Sequence, residues 1–319
     1  MQQQESSMNR LIHPVMLSGV LLLFCHTLAA TNPIHPNPPE KIPVKKLLLS
    51  KAEVIDFQYN SLVQNYIESY TVRARPRAGR IISRSKLYFP IIEKYLKEAG
   101  LPDVLKYMTV IESAVNPNAL SPAGAVGLWQ LMPNTARRYG LRVSDTVDDR
   151  RDVHKSTQAA IKYLVHLRKK LGDWTLAVAA YNCGGGKVLQ AKRYSYAESF
   201  WELRMFLPKE TQYYIHKLAA AVYVMNYYHL HDLQPSVADY YLRFTKTTKV
   251  YNEVQFLQIS RALDIPIDVL IRLNPSYKKE MLPYNKNGNY LILPKVKMGS
   301  FVSYHNFMIA STPEQHIRG

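Results

Sequence analysis

The stretch Val110 to Leu141, VIESAVNPNALSPAGAVGLWQLMPNTARRYGL, organises the chain because it sets one carboxylate, Glu112, beside a glycine-rich, aromatic loop. Leu105, Met108 and Glu112 fall at i, i+3 and i+7, so a helix over Leu101 to Ala114 places the acid on the same face as two apolar residues. That face is expected to be buried. A carboxyl held against apolar side chains has its charged form disfavoured, which raises its pKa and keeps it a proton donor near neutrality. The competing reading is a solvated or capping glutamate, the commoner fate of an isolated one.

Downstream, Asn116-Pro117 ends the helix, Ser121-Pro122-Ala123-Gly124 reads as a turn, and Gly127-Leu128-Trp129-Gln130 leads to Pro133 at a helix start. Gly124 and Gly127 carry no side chain to block a ligand, and Gln130 offers a donor and an acceptor suited to sugar hydroxyl or acetamido groups. Trp129 reads as packing rather than stacking.

Upstream, Leu87 to Ala99 has a helical apolar face ending at Gly100, and Pro102 starts the next helix. Ser50 to Tyr70 has the spacing of an amphipathic helix. The arginines from Arg73 to Lys86 suggest a solvated connecting loop ahead of a nucleic-acid arm. After Gly140, Asp148-Asp149-Arg150-Arg151-Asp152 reads as local ion pairing and helix capping rather than paired catalytic acids. Thr157 to Leu171 is an amphipathic helix ending at Gly172, and Asp173 caps another that ends near Tyr181-Asn182. There Gly184-Gly185-Gly186 predicts a permissive loop beside a phenol and an amide. Pro208 and Glu210 open a long helix through Tyr213, Tyr214, Leu218 and Met225.

With 319 residues, one main core plus a smaller module is expected. The net charge of +17 suits an anionic polymer, whether nucleic acid, acidic lipid or a cell wall bearing peptide carboxylates. Residues 1–30 combine Arg10, an apolar run from Val15 to Phe24 and small residues at Ala29-Ala30, the pattern of an export signal or N-terminal anchor. Residues 31–46, with five prolines from Pro33 to Pro43, read as an extended tether. Cys25 and Cys183 are the two cysteines; cleavage beyond Cys25 leaves one thiol and no internal disulfide. The histidines are scattered and no HExxH occurs, so neither metal nor cofactor is expected.

Glu112-Ser113, GLWQLMP from Gly127 to Pro133, Ala180-Tyr181-Asn182 and Glu210-Thr211 through Tyr214 stand in the order seen in lytic transglycosylases. The sequence resembles that family from about Ser85 to His229, and most of all its membrane-bound D branch. The resemblance implies a goose-type lysozyme-like helical domain with Glu112 catalytic. It implies substrate contacts at Ser113, Gly127, Gln130, Met132, Tyr181, Asn182, Glu210 and Tyr214. It also implies peptidoglycan strands as substrate, without nucleic acid, in a bacterial cell envelope, with membrane attachment through the N-terminus left open.

Beyond Val250 the pattern gives two short helices, Val254 to Leu263 and Ile267 to Leu273, and a returning strand, Tyr290 to Leu293. That order resembles a peptidoglycan-binding LysM module of βααβ form, with Tyr251-Asn252-Glu253 in place of its usual Gly-Asp turn. The expected fold class is therefore mainly α. The expected organisation is an N-terminal helical brace and connector (47–84), a catalytic domain (85–235), a separable module (245–298) and a tail (299–319). The resemblance implies cleavage of the bond between N-acetylmuramic acid and N-acetylglucosamine without added water. A hydrolytic muramidase and a noncatalytic wall-binding protein are the alternatives.

Overall fold

The computed structural model describes residues 43–51, 54–235 and 240–311, and most of these are helical. The expected export segment and residues 31–42 of the expected tether lie outside them. Among the described residues no helix is long and apolar enough to cross a membrane.

Helix α1 (Val44–Leu49) takes up the last expected tether residues and buries Leu48. Helix α2 (Ser61–Glu68) starts where the Asn60 side chain accepts the N–H groups of Leu62 and Val63 at 3.1 Å each. Residues 54–60 ahead of it are not helical, so the amphipathic helix expected from Ser50 begins later. A wide π-helical turn over Ser69–Arg73 leads into α3 (Arg75–Glu98). The loop expected over Arg73 to Lys86 is thus helix. Ala78, Ile81, Ile82, Ser85, Phe89, Ile92 and Leu96 recur at helical spacing and are buried, while most of the arginines fill the other faces. Density of charge hid that stripe.

A 3-10 turn (Asp103–Tyr107) and α4 (Met108–Ser113) replace the single helix expected from Leu101. Helix α4 stops because Ala114 and Val115 both adopt φ 55°, the left-handed region. Helix α5 (Pro133–Arg138) begins at the expected proline. Asp152 caps α6 (Val153–Leu171) and Asp173 caps α7 (Trp174–Cys183), each accepting a backbone N–H in the first turn. Gly184, at φ 90°, makes the turn after α7 alone; α8 (Gly185–Ser195) starts at the next residue, so the expected triglycine loop is mostly helix. After α9 (Phe200–Leu203) the long helix expected from Pro208 divides at Tyr213 into α10 (Lys209–Gln212) and α11 (Tyr214–Tyr227). Ten residues of α11 are buried between Tyr214 and Val224, on all its faces, and α2, α4 and α7 pack around it. A helix apolar all round is a core helix.

After the short α12 (Tyr240–Arg243), β1 (Thr245–Val250) pairs antiparallel with β4 (Asn289–Pro294), in register from Thr245↔Pro294 to Val250↔Asn289. Between them lie β2 (Val254–Gln255), α13 (Phe256–Leu263), α14 (Ile267–Leu273) and β3 (Met281–Leu282), with β2 and β3 forming a second small ladder. Helix α15 (Met298–Ser311) occupies much of the unassigned tail and buries Phe301 against the same cluster. That cluster includes Val147 from the segment before α6. Val147 bridges to Tyr277, the Asp148 N–H donates to Ser276 O at 2.8 Å, and the Lys278 N–H donates to Thr146 O at 3.0 Å. Arg142 clamps the same place, donating to Asn289 Oδ1 at 3.0 Å and to both oxygens of Asp149 at 3.0 and 3.2 Å.

A module stitched in this way is expected to melt with the helical body. Thermal unfolding followed by far-UV and near-UV circular dichroism should give one transition, and Arg142→Ala, which strips a buried carboxylate of its guanidinium, should destabilise it by about 1–3 kcal/mol. Two resolved transitions in the wild type would show that the junction is weak.

Candidate active site

Glu112 occupies the last turn of α4 and Tyr214 the first residue of α11, so the packing of these two helices brings them together across 102 residues of sequence. The Tyr214 hydroxyl donates to Glu112 Oε1 at 2.5 Å. Burial disfavours the charged carboxylate and pushes the Glu112 pKa up to about 7; the Tyr214 hydrogen bond and Lys217 oppose that rise, while the charge of Glu210 adds to it. The phenols of Tyr181 and Tyr214 are raised well above the ordinary tyrosine range, by burial first and then by the neighbouring Glu112 charge. Both remain donors at any physiological pH.

Tyr181, on α7, donates its hydroxyl to Trp129 O at 2.7 Å and so ties the loop after Glu112 to the helix core. Trp129 itself is fully buried, with its indole N–H donating to Thr157 Oγ1 at 2.9 Å, which fits packing rather than stacking. Asn182 links α7 to α10: its carbonyl accepts the Thr211 hydroxyl at 2.7 Å, and its amide nitrogen lies 3.5 Å from Glu210 Oε1. Glu210 is exposed, and Met132 at the start of α5 is 43% exposed.

Other expected contact residues serve the scaffold. Ser113 is buried, its hydroxyl shared between Thr109 O and Leu128 O at 3.0 and 2.9 Å while accepting the Asn116 N–H at 3.2 Å. Gln130, at φ 46°, donates its side-chain amide to Gly127 O at 2.9 Å and Ala119 O at 3.3 Å, so its carbonyl oxygen takes no part in these two bonds. Gly127, at φ 87°, is required because a Cβ there would lie 1.9 Å from Arg150 O. Backbone, not ligand, makes that close approach.

Arg150 is the residue the sequence reading placed in a capping cluster without seeing its reach. Its side chain is buried with that of Asp148, paired at 2.8 Å, and its Nη1 donates to Gly124 O at 2.8 Å and Leu131 O at 3.1 Å. It thereby holds both ends of the loop facing Glu112. Thr211, likewise missed, orients Asn182. Neither shows in periodicity, because both act across long sequence separations. Among the described residues no group of three or more His, Cys, Asp or Glu side chains is placed to hold a metal ion. Burial raises the Cys183 thiol pKa, which keeps it protonated and inert.

Carboxyl-labelled glutamate followed by NMR should show one group titrating near 7, absent in Glu112→Gln, and Tyr214→Phe should move it higher by removing the hydrogen bond that favours the anion. Folding raises this pKa, so the stability it contributes is fully present below the ordinary glutamate range and is lost as pH rises through about 7. Glu112→Gln should therefore gain about 1–3 kcal/mol over wild type at pH 8 and nothing at pH 4, as measured by urea unfolding.

Residues 89–204 match the family described as the transglycosylase SLT domain, and residues 244–307 match the lytic transglycosylase MltD, LysM-like domain. The chain is 38% identical over 162 residues to membrane-bound lytic murein transglycosylase D of Escherichia coli strain K12, covering 49% of this chain and 33% of that one. It is 40% identical over 110 residues to a putative tributyltin chloride resistance protein of Alteromonas sp. strain M-1, covering 34% of this chain and 53% of the other. A solved structure of an inactive mutant of the Pseudomonas aeruginosa lytic transglycosylase Slt is similar at 26% identity and a TM-score of 0.36, over 47% of this chain and 25% of that chain. The chain thus spans about a third of the Escherichia coli relative and about half of the Alteromonas one. With Glu112, GLWQLMP and Tyr181-Asn182 all inside the first matched segment, residues 89–204 belong to the transglycosylase SLT domain family and residues 244–307 to the LysM-like domain of MltD lytic transglycosylases.

Proposed function

We propose that this protein is a peptidoglycan lytic transglycosylase, cleaving the β-1,4 bond between N-acetylmuramic acid and N-acetylglucosamine without adding water. The observation that carries the reading is one carboxyl, Glu112, whose pKa burial pushes up to about 7 and whose Oε1 accepts a single phenol hydroxyl. Most glycosidases need two carboxylates, but substrate-assisted ones replace the second with the sugar's own acetamido group. The other nearby acid, Glu210, is exposed and turned to Asn182, which suits substrate positioning better than nucleophilic attack.

Glu112 gives its proton to the glycosidic oxygen as the C1–O bond breaks, with Tyr214 stabilising the carboxylate that forms. The same carboxylate then takes the proton of the C6 hydroxyl as O6 bonds to C1, leaving a 1,6-anhydromuramic end and a reprotonated Glu112. No water enters the balance. On this reading the Gln130 carbonyl oxygen, Asn182, Glu210 and Met132 position the strand, while Tyr181, Ser113 and Gly127 keep the loop in place. The basic surface and the LysM-like module suit a polymer bearing carboxylates, and the leader pattern of residues 1–30 supports export to the cell envelope.

On purified wall, Glu112→Gln should keep the fold and lose about 10²- to 10⁴-fold in turnover. Mass spectrometry should find anhydro ends; products heavier by one water would indicate a hydrolytic muramidase instead. Because Glu112 must begin protonated, activity is expected to fall as pH rises through about 7.

A further inference from the structure

Helix α11 is a core helix, yet it carries one lysine. Ten of the residues from Tyr214 to Val224 are buried, and Lys217 is the one that is not. A lysine on a helix otherwise surrounded by packing reaches water only where that packing leaves a gap. The facing helix α4 shows where the gap lies. Met108, Thr109, Val110 and Ser113 are buried, so Ile111 and Glu112 are the residues through which α4 meets solvent. Lys217 stands three positions after Tyr214, on the same face of α11, and from that face the Tyr214 hydroxyl reaches Glu112. The three polar ends therefore share one opening between α4 and α11, and the charge of Lys217 is felt at Glu112, where it favours the carboxylate.

The reaction above needs such a charge. When Glu112 gives up its proton, an anion forms where burial disfavours it. One neutral donor, the Tyr214 hydroxyl, bonds Oε1. The groups that face Glu112 are Tyr214 and Lys217 from α11, Tyr181 from α7 and Glu210 from α10. The two phenols are neutral and Glu210 repels the anion, so Lys217 is the cation among them. Elsewhere around this helix pair, Lys106 is committed to Glu93 and Asp103, and Glu68 on α2 to Arg73 at 3.7 Å. Helix α1 and His231 lie toward the far end of α11, against Tyr227 and Tyr223. Among the described residues Lys217 has no carboxylate within ion-pair distance, so its charge is not neutralised before the Glu112 anion appears.

We propose that Lys217 acts through Glu112 as a positioning residue of the lytic reaction, supplying the counter-charge that holds the carboxylate between the proton it gives and the proton it takes back. The assignment rests on the lytic reading for its chemistry and on the shared opening for its geometry. Glu210 acts in the opposite sense, so the two charges bracket the acid. A half-exposed ammonium suits the task because water weakens its pull, which favours the carboxylate without deprotonating Glu112 at rest.

The test follows Glu112 itself, by NMR of the full chain with carboxyl-labelled glutamate. Lys217→Met, which keeps the aliphatic stem and removes the charge, and Lys217→Gln should both raise the Glu112 titration point by about half a unit to one unit. Glu210→Gln should lower it, and Lys217→Arg should leave it near the wild-type value. On peptide-free glycan strands, at a pH below the titration, the two neutral variants should lose about three- to tenfold in kcat, the same shift expressed as a rate, with KM within about twofold. Their alkaline loss of activity should move to higher pH with the NMR shift. Circular dichroism checks the fold of each variant. An unmoved Glu112 titration in folded Lys217→Met would overturn the proposal, because a lysine that only reaches water has no effect there. So would a rise in KM with kcat unchanged, which marks Lys217 as a strand contact, or a loss in Lys217→Arg equal to that in Lys217→Met. Failure of the lytic reading appears separately, as glycan left uncleaved by wild type whether or not the titration moves.

Discussion

The site depends on the desolvation of one carboxyl. Glu112 sits where α4 runs into the first turn of α11, and its pKa near 7 is the balance between burial, which favours the neutral acid, and the Tyr214 hydroxyl, which favours the anion. Neither side can dominate if one residue is to give a proton and take one back. Were burial complete and unrelieved, the carboxylate would form too reluctantly; with stronger donors around it, the acid would be spent before substrate arrived.

That balance is maintained from a distance. Helix α11 is buried on every face and fixes Tyr214, while α4 ends abruptly at two left-handed residues and so presents Glu112 on its last turn. The facing loop has little regular structure, and its carbonyls are gathered instead by buried side chains: Gly124 and Leu131 by Arg150, Leu128 by Ser113, Trp129 by Tyr181. A guanidinium serves well here because its several donors can satisfy Asp148 and two carbonyls together, leaving little unpaired in a dry environment. The fixed Arg150 backbone also explains why position 127 admits only glycine.

The junction with the C-terminal module extends the same economy of partners. Asp148 ties its side chain to Arg150 and its backbone N–H to Ser276, and Asp149 is clamped by an arginine that also reaches Asn289. The acid-rich stretch Asp148 to Asp152 therefore braces the active-site loop, the start of α6 and the module. Its role is mechanical.

Much of this was legible in order along the chain. The apolar periods of α6, α7 and the module, the capping aspartates at 152 and 173, the proline at 133 and the four spaced motifs around Glu112, Trp129, Tyr181 and Tyr214 established a mainly helical fold with one candidate acid, because these signals are local or are fixed in sequence. Charge density masked α3, whose buried stripe lies among arginines, and glycine content suggested a loop where α8 begins. What the sequence alone could not decide were the pairings: Tyr214 with Glu112, Arg150 with Gly124 and Leu131, Val147 with the module's core. Each joins residues tens to more than a hundred positions apart, and helical period says which face is buried but not what it is buried against. Ser113 and Gln130 show the consequence, since their types suit a ligand equally well and only the packed structure turned the hydroxyl of one and the amide of the other inward.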